Sequence, residues 1–281
     1  MANEIKKGSL YIVATPIGNL SDLSPRAVKV LSEVDFIAAE DTRNTVKLLT
    51  HLGIKKPMIS YYEHNKHEHG EIIVRKIKDE GQSCALVSDA GTPAISDPGE
   101  DLVKLCALQN IEVFSVPGPC AAICALTLSG LFTGRFVFEG FLSTAKNSRL
   151  ERLEEVKNEE RTLIFYEAPH HLVKTLEVML EILGDRRISL AREITKINEE
   201  VRRTTISEAL AYYSDNQPKG EFVLVIEGAE HKEEAHFWEE MSIRQHFDYY
   251  SAKGMERMDA IKKVASDRGV GKSAVYKQLL D

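Results

Sequence analysis

Ala85-Leu-Val-Ser-Asp-Ala-Gly-Thr-Pro-Ala-Ile-Ser-Asp-Pro-Gly99 carries an apolar strand directly into a loop built from turn residues. Proline fixes φ and lacks an N–H, so Pro93 and Pro98 stiffen this loop while its other amides and carbonyls stay available to a ligand. The arrangement recurs downstream. Ile111-Glu-Val-Phe-Ser-Val116 reads as a short strand, and Pro117-Gly118-Pro119 breaks it before the small-residue run Cys120-Ala121-Ala122-Ile123. One such loop alone reads as an ordinary tight turn. Two at neighbouring strand ends predict a ligand crevice at the carboxyl edge of an open α/β sheet.

The flanking elements alternate. Residues 9–15 form a buried-type strand, followed by a loop over 16–23 and a helix capped by Ser24 with Pro25 in its first turn. A second strand over 35–39 ends in Glu40-Asp41-Thr42-Arg43, and the pattern predicts a helix over 45–52 closed by Gly53. Residues 58–62 read as a third strand, 70–80 as a helix, 84–87 as a fourth strand and 99–109 as a helix. Strand–helix alternation of this kind makes a mostly parallel α/β sheet.

After a helix over 120–129, a second α/β unit begins with a strand over 135–139, a charged helix over 148–158 and a strand over 161–166. It continues through a helix over 170–183, strands over 187–191 and 200–206, a helix over 207–213 and a strand over 220–226. Charged strand ends predict that part of this sheet is antiparallel. An acidic stretch over 227–234 reads as a linker. The remainder is helical, and Ala265, Gly269 and Val275 have the spacing of a helix-turn-helix: small contact residue, turn glycine, apolar anchor. The expected organisation is an N-terminal α/β domain (1–126), a second α/β domain (127–232) and a small helical domain (233–281).

Composition narrows the function. A chain of 281 residues with 43% apolar content can bury a full core. No apolar run reaches the ~18 residues of a membrane span and the N-terminus lacks a secretory pattern, so a soluble cytoplasmic protein is expected. The formal charge of −7 argues against a protein that coats nucleic acid. Local basic clusters remain: Arg186-Arg187, Arg192, Lys196 and Arg202-Arg203, and Lys146, Arg149 and Arg152 after a Gly140-Phe141-Leu142 turn. Each reads either as a solvated face or as an RNA contact. From residue 235 onward, eight Lys and Arg stand against seven Asp and Glu, which fits a packing module as well as a nucleic-acid appendage. Cys84, Cys106, Cys120 and Cys124 lack metal-type spacing and read as reduced packing residues. His64, His67 and His69 with Glu63 and Glu68 have no second cluster to complete a metal site, and none is expected. Neither Gly-rich loop matches a P-loop or dinucleotide fingerprint, which favours a different nucleoside ligand.

Taken in order, Leu10-Tyr-Ile-Val-Ala-Thr-Pro-Ile-Gly-Asn-Leu20, Ala39-Glu-Asp-Thr-Arg43, Val87 to Gly99, Val116-Pro-Gly-Pro119, Arg161-Thr-Leu-Ile-Phe-Tyr-Glu167 and Ala191-Arg-Glu-Ile-Thr-Lys196 resemble successive signatures of one family. It is that of the bacterial 16S ribosomal RNA cytidine 2′-O-methyltransferases, within the tetrapyrrole methylase superfamily. The resemblance implies two α/β domains with S-adenosyl-L-methionine in the cleft between them, a homodimer, and as substrate a decoding-centre cytidine in the 16S RNA of the small ribosomal subunit, with neither DNA nor membrane as a partner. Carried over by position, it implies cofactor contacts from Asp89, Gly91, Thr92, Pro93 and Ile95, from Cys120 and Ala121, and from Tyr166 and Glu167. Ile17 and Phe222 match over shorter apolar runs. Two positions depart from the commoner pattern, Ser143 where Pro is frequent and His171 where Arg is frequent, and both bear on substrate contacts.

Attack by a ribose hydroxyl needs a proton acceptor. Glu40 and Asp41 are the candidate bases, with Arg43 positioning phosphate or polarising the acceptor; the alternative is that Asp41 and Arg43 pair locally or cap the next helix. Lys146 and Arg149 are the candidate substrate contacts. Two rivals stand against the main reading: a tetrapyrrole methyltransferase of the same fold, and a ligand-sensing regulator whose helix-turn-helix reads duplex DNA.

Overall fold

Leu10, Val13, Ile37, Ala38, Leu86 and Val87 are buried to within 1% of complete exclusion from solvent, as continuous apolar strands covered on both faces require. They belong to the first of two sheets in a computed structural model that describes residues 4–230 and 237–280. This sheet contains β1 (Ser9–Val13), β2 (Phe36–Ala39), β3 (Met58–Ser60), β4 (Cys84–Val87) and β5 (Glu112–Val116) in the order β3-β2-β4-β1-β5. Every pairing is parallel. Helices α1 (Pro25–Glu33) and α2 (Thr42–His51) bury Val30, Leu31 and Leu49 on one face. Helices α3 (Lys66–Lys78) and α4 (Glu100–Leu108) bury Ile73, Ile77 and Leu102 on the other. The connections leaving the adjacent strands β1 and β4 therefore run to opposite faces, which opens a crevice at their carboxyl ends.

Helix α2 starts earlier than its apolar pattern suggests. The Asp41 side chain accepts from the Arg43 N–H at 2.8 Å, so α2 begins at Thr42 rather than near residue 45. Apolar spacing marks where a helix is buried; the cap decides where it starts.

Helix α5 (Ala121–Leu128) follows β5 but packs on the second sheet, burying Ala122, Ala125 and Leu126 against Ile164, Ala191 and Val223. The expected boundary at 126/127 falls inside this helix. The second sheet has the order β6-β7-β10-β8-β9, from β6 (Phe136–Phe141), β7 (Thr162–Glu167), β8 (Arg187–Arg192), β9 (Glu200–Thr205) and β10 (Phe222–Ile226). Only β6 and β7 are parallel; the other pairings are antiparallel, in line with the charged strand ends. Its far face is covered by α6 (Lys146–Glu155), α7 (Leu172–Leu183) and α8 (Ile206–Asp215) around Phe165, Leu176 and Met179. The β6 register shifts between Phe138 and Gly140, where Glu139 is the extra residue. Its side chain is 2% exposed and pairs with Arg152 of α6 at 2.6 Å. Gly140 takes φ +66, and a Cβ there would come within 3.0 Å of Ser96 Oγ, so the bulge lets the second sheet approach the loop after β4.

Residues 1–229 form one compact unit holding both sheets; residues 230–281 form another. In the latter, α9 (Ile243–Ala252) starts at a Ser242/Gln245 capping box and is followed by α10 (Arg257–Asp267) and α11 (Lys272–Gln278). Ala265 and Val275 are buried together, and Gly269 turns the chain at φ +61, as the helix-turn-helix spacing requires.

At Gly118 an added Cβ would lie 2.8 Å from Ala14 Cβ, because the loop after β5 crosses directly over the end of β1. Gly118→Ala is expected to lower stability by about 1–3 kcal/mol through overpacking. Urea unfolding checks this: the midpoint falls while the slope stays the same.

Candidate active site

Three loop ends are tied together at the carboxyl edge of the first sheet. Thr15 N–H donates to the Gly91 carbonyl at 2.8 Å and Gly91 N–H donates back to the Thr15 carbonyl at 3.1 Å, joining the loops after β1 and β4 by a single antiparallel bridge. Thr92 Oγ1 donates to the Pro119 carbonyl at 2.9 Å, adding the loop after β5. Gly91 is required twice over: its φ is +84, and a Cβ would lie 3.3 Å from Ile17 Cγ2. On the opposite side, Ala122 N–H donates to Tyr166 Oη at 3.2 Å and fastens the start of α5 to β7.

These loops and the edge of the second sheet enclose a cleft of about 450 Å³. The size suits a nucleoside-sized ligand. Ile17, Ile95, Tyr166 and Phe222 give it apolar walls, and Phe141, aimed by the β6 bulge, lies 5.4 Å from the Tyr166 ring. Glu40, Asp89 and Asp97 line one part of it; Glu193, Lys196 and Glu221 line another.

The two charged groups behave differently. Glu40 Oε2 accepts the Asp89 N–H at 3.2 Å, and Asp89 Oδ2 accepts from Asn44 Nδ2 at 3.0 Å. Burial pushes the Glu40 carboxyl above its usual range against that hydrogen bond, and the charges of Asp89 and Asp41 push the same way. Burial, reinforced by Glu40 and opposed by the Ser88 hydroxyl, raises Asp97 to about 6. Burial also holds the Tyr166 hydroxyl up at about 12. In the other group Lys196 Nζ bridges Glu193 at 3.0 Å and Glu221 at 2.9 Å. Burial works against the Lys196 charge, but these two carboxylates outweigh it and raise its pKa. Backbone strain collects here. Ser96 and Glu193, which line the cleft, and Ala94 and Thr195 close to them in the chain all take positive φ, leaving Asn110 as the single other non-glycine residue to do so among the described residues.

The expected cofactor residues converge. Ile17, Asp89, Gly91, Thr92 and Ile95 line the cleft from the first sheet, and Cys120, Ala121, Tyr166, Glu167 and Phe222 from α5 and the second. Pro93 does not line it and is buried within the loop. Of the three expected catalytic residues Glu40 alone lines the cleft. Asp41 caps α2 and grips the Arg43 guanidinium at 2.6 Å, which holds its carboxyl down at about 2. The local ion pair therefore describes Asp41 and Arg43, and a carboxylate held that low is a poor proton acceptor.

The expected substrate contacts separate too. Lys146 is exposed at the first turn of α6, whereas Arg149 is 5% exposed and cannot serve as a surface contact. The arginines of the second sheet are occupied internally: Arg187 with Glu227, Arg192 and Arg202 with Glu200, and Arg203 with the Leu128 carbonyl. Arg202 also stacks 3.6 Å over Tyr212. Arg187, Arg192 and Arg202 are thereby neutralised, and Arg203 is tied to the backbone. His67 and His69 lie in the first turn of α3, and no group of three metal-ligating side chains occurs among the described residues. Sequence reasoning passed over Ser96, Asp97, Glu193, Lys196 and Glu221 as site residues. The signal was present for four of them, since Ser96, Asp97, Glu193 and Lys196 lie inside motifs already singled out, but it did not say which side chains face the cleft.

A doubly layered pair of sheets with a ligand cleft at the β1/β4 crevice defines the class of protein. The chain belongs to the Tetrapyrrole (Corrin/Porphyrin) Methylases, whose family model matches residues 9–210. It is 49% identical over 275 residues to the Ribosomal RNA small subunit methyltransferase I of Synechocystis sp., covering 98% of each chain. To the protein of that name from Halalkalibacterium halodurans it is 50% identical over 272 residues, covering 96% of this chain and 94% of the relative. The fold also matches uroporphyrin-III-C-methyltransferase from Thermus thermophilus with a TM-score of 0.55 at 19% identity, over 79% of this chain and 94% of that one.

Asp97 makes stability depend on pH. Its folded pKa of about 6 lies above the ordinary 3.8, so between these values the native state holds a proton that the unfolded chain has released. Stability from this group is lost as pH rises through that window. Asp97→Asn is expected to melt higher than wild type at pH 7, with the difference closing below pH ~4; thermal melts across pH check it.

Proposed function

We propose that this chain methylates the 2′-hydroxyl of a decoding-centre cytidine in 16S ribosomal RNA, using S-adenosyl-L-methionine, and that it works in the cytoplasm as a homodimer on the small ribosomal subunit. The observation that carries the reading is the cleft: the residues implied by family resemblance meet there, in a chain whose full-length relatives at 49–50% identity bear a ribosomal RNA methyltransferase name.

The residues present fit that cofactor. Ile17, Ile95 and Phe222 offer apolar surface for a purine and an aliphatic chain, Tyr166 adds an aromatic wall, and Gly91, Thr92 and Ser96 line the cleft from the loop after β4. Glu40, Asp89 and Asp97 supply acceptors suited to ribose hydroxyls or a positive centre. When bound, the cofactor supplies an activated methyl group. The protein's part is to align it with the acceptor, which in favourable cases contributes on the order of 7–11 kcal/mol. Its carboxylates must also receive a proton from a hydroxyl too weakly acidic to ionise at neutral pH. Glu40 is placed for this within the cleft, whereas Asp41 and Arg43 are committed to each other.

Incubation with cofactor labelled in the methyl group, offered small ribosomal subunits, naked 16S RNA and a tetrapyrrole precursor, tests the reading. Label is expected on a ribose 2′-oxygen of the RNA. Label on the tetrapyrrole alone would move the function to small-molecule methylation.

A further inference from the structure

The small helical unit sorts its cations. Lys262 and Lys263 pair with Asp259 and Asp267, Arg268 donates to the Trp238 and Met241 carbonyls, Lys253 donates to the Tyr249 hydroxyl, and Arg244 reaches the Leu279 carbonyl at 3.5 Å. Arg257, Lys272 and Lys277 are left over: among the described residues none of the three forms a salt bridge or a side-chain hydrogen bond. All three gather at one place. A shallow groove of about 380 Å³ between α10 and α11 is lined by Met258, Ile261, Lys272, Tyr276, Lys277 and Leu280, and no carboxylate lines it. The Arg257 guanidinium lies 6.0 Å from the centre of the Tyr276 ring. Ile261 is the buried floor, whereas Met258 and Leu280 are exposed and Tyr276 is 44% exposed. Val275 of α11 packs inward on Ile261, Val264 and Ala265, so Tyr276, one residue on, is carried outward. Lys272 stands one turn before it and Lys277 directly after it.

We propose that this groove is an RNA-binding site other than the methyl-transfer cleft, and that it holds one unpaired nucleotide of the substrate: the base stacks on Tyr276 beside Met258, and Lys272, Lys277 and Arg257 hold the phosphates next to it. The inference rests on the reading of RNA as substrate given above. Charge and shape together select this occupant. An apolar floor alone would suit any hydrophobic segment, but three unpaired cations around an exposed aromatic ring call for a ligand with a flat apolar face and negative charge close to it, which a nucleotide in a single strand has. Arg257 near the same ring adds a cation to the aromatic contact. Every base has a π-face, so the groove contributes affinity with little sequence preference. A base in a duplex offers a protein only its edge, and duplex DNA therefore does not fill the groove in this way. The unit grips the RNA, and the chemistry takes place in a cleft that none of these residues lines.

Binding of a short, fluorescently labelled single-stranded oligoribonucleotide to the full-length protein, followed across salt concentrations, tests this. Tyr276→Ala is expected to weaken binding about 5–150-fold, and Tyr276→Phe, which keeps the ring, to bind like wild type. Lys272→Gln and Lys277→Gln, both at exposed positions, should each flatten the slope of log affinity against log salt by about 0.7. Cofactor Kd should match wild type in every variant, and in methyl transfer to small ribosomal subunits Tyr276→Ala should raise KM at unchanged kcat. Wild-type affinity for the oligonucleotide in Tyr276→Ala would overturn the site, as would salt slopes that neither lysine substitution alters. A Tyr276→Ala loss as large for duplex DNA would overturn it too, by making the unit a duplex reader. Unchanged RNA affinity in a Tyr276→Ala protein that sediments as a smaller species would give the groove to a second copy of the chain instead. Wild-type protein that binds the oligonucleotide through Tyr276 yet labels no ribose defeats the methyl-transfer reading and not the groove; labelled ribose with an unimpaired Tyr276→Ala defeats the groove alone.

Discussion

The reciprocal hydrogen bonds between Thr15 and Gly91 are the constraint on which the site depends. Parallel strands give a sheet no means of controlling its carboxyl edge, because each loop there leaves toward its own helix. Bridging the loops after β1 and β4, and fastening Thr92 to the Pro119 carbonyl, turns three independent chain reversals into one rigid rim. The rim demands glycine at position 91, since a side chain would need both an unfavourable φ and the space held by Ile17. Close approach at Gly118 over Ala14 serves the same end.

The second sheet completes what the rim begins. Helix α5 leaves the first sheet yet buries its small face on the second, and the Ala122 amide in its first turn is held by the Tyr166 hydroxyl. A bulge at Glu139 then brings Gly140 against Ser96 and turns Phe141 into the cleft. The ion pair between the buried Glu139 carboxylate and the half-exposed Arg152 ties that bulge to α6. Positive-φ residues on both walls mark where local backbone preference yields to the shape of the site; such conformations cost about 1–3 kcal/mol each and persist only where surrounding contacts over-determine them.

Charge is divided within the cleft. Lys196 is neutralised by Glu193 and Glu221, whereas among the described residues no salt bridge is formed by Glu40, Asp89 or Asp97. The first set is a closed ion-pair network that shapes a wall. In the second, burial first and neighbouring carboxylate charge after it raise the proton affinity of Glu40 and Asp97.

Strand order along the chain, caps such as Ser24, and the two Pro/Gly loops followed from local rules, so the α/β class and the position of the crevice were legible in the sequence. So were the cleft residues Ile17, Gly91, Thr92, Tyr166 and Phe222, because motifs fix which loop carries a site. Side-chain direction was not legible. Neighbouring residues in a loop diverge, and Glu40 enters the cleft while Asp41 turns away to cap α2; only three-dimensional packing separates them. Basic runs were equally mute, since Arg149 is buried and Arg187, Arg192 and Arg202 find carboxylates distant or local that composition cannot pair. The sequence by itself determined which elements form and where a ligand enters, because propensity, capping and turn chemistry act over a few residues. The tertiary structure alone decided which charges remain unpaired in the cleft, because that depends on contacts between loops far apart in the chain.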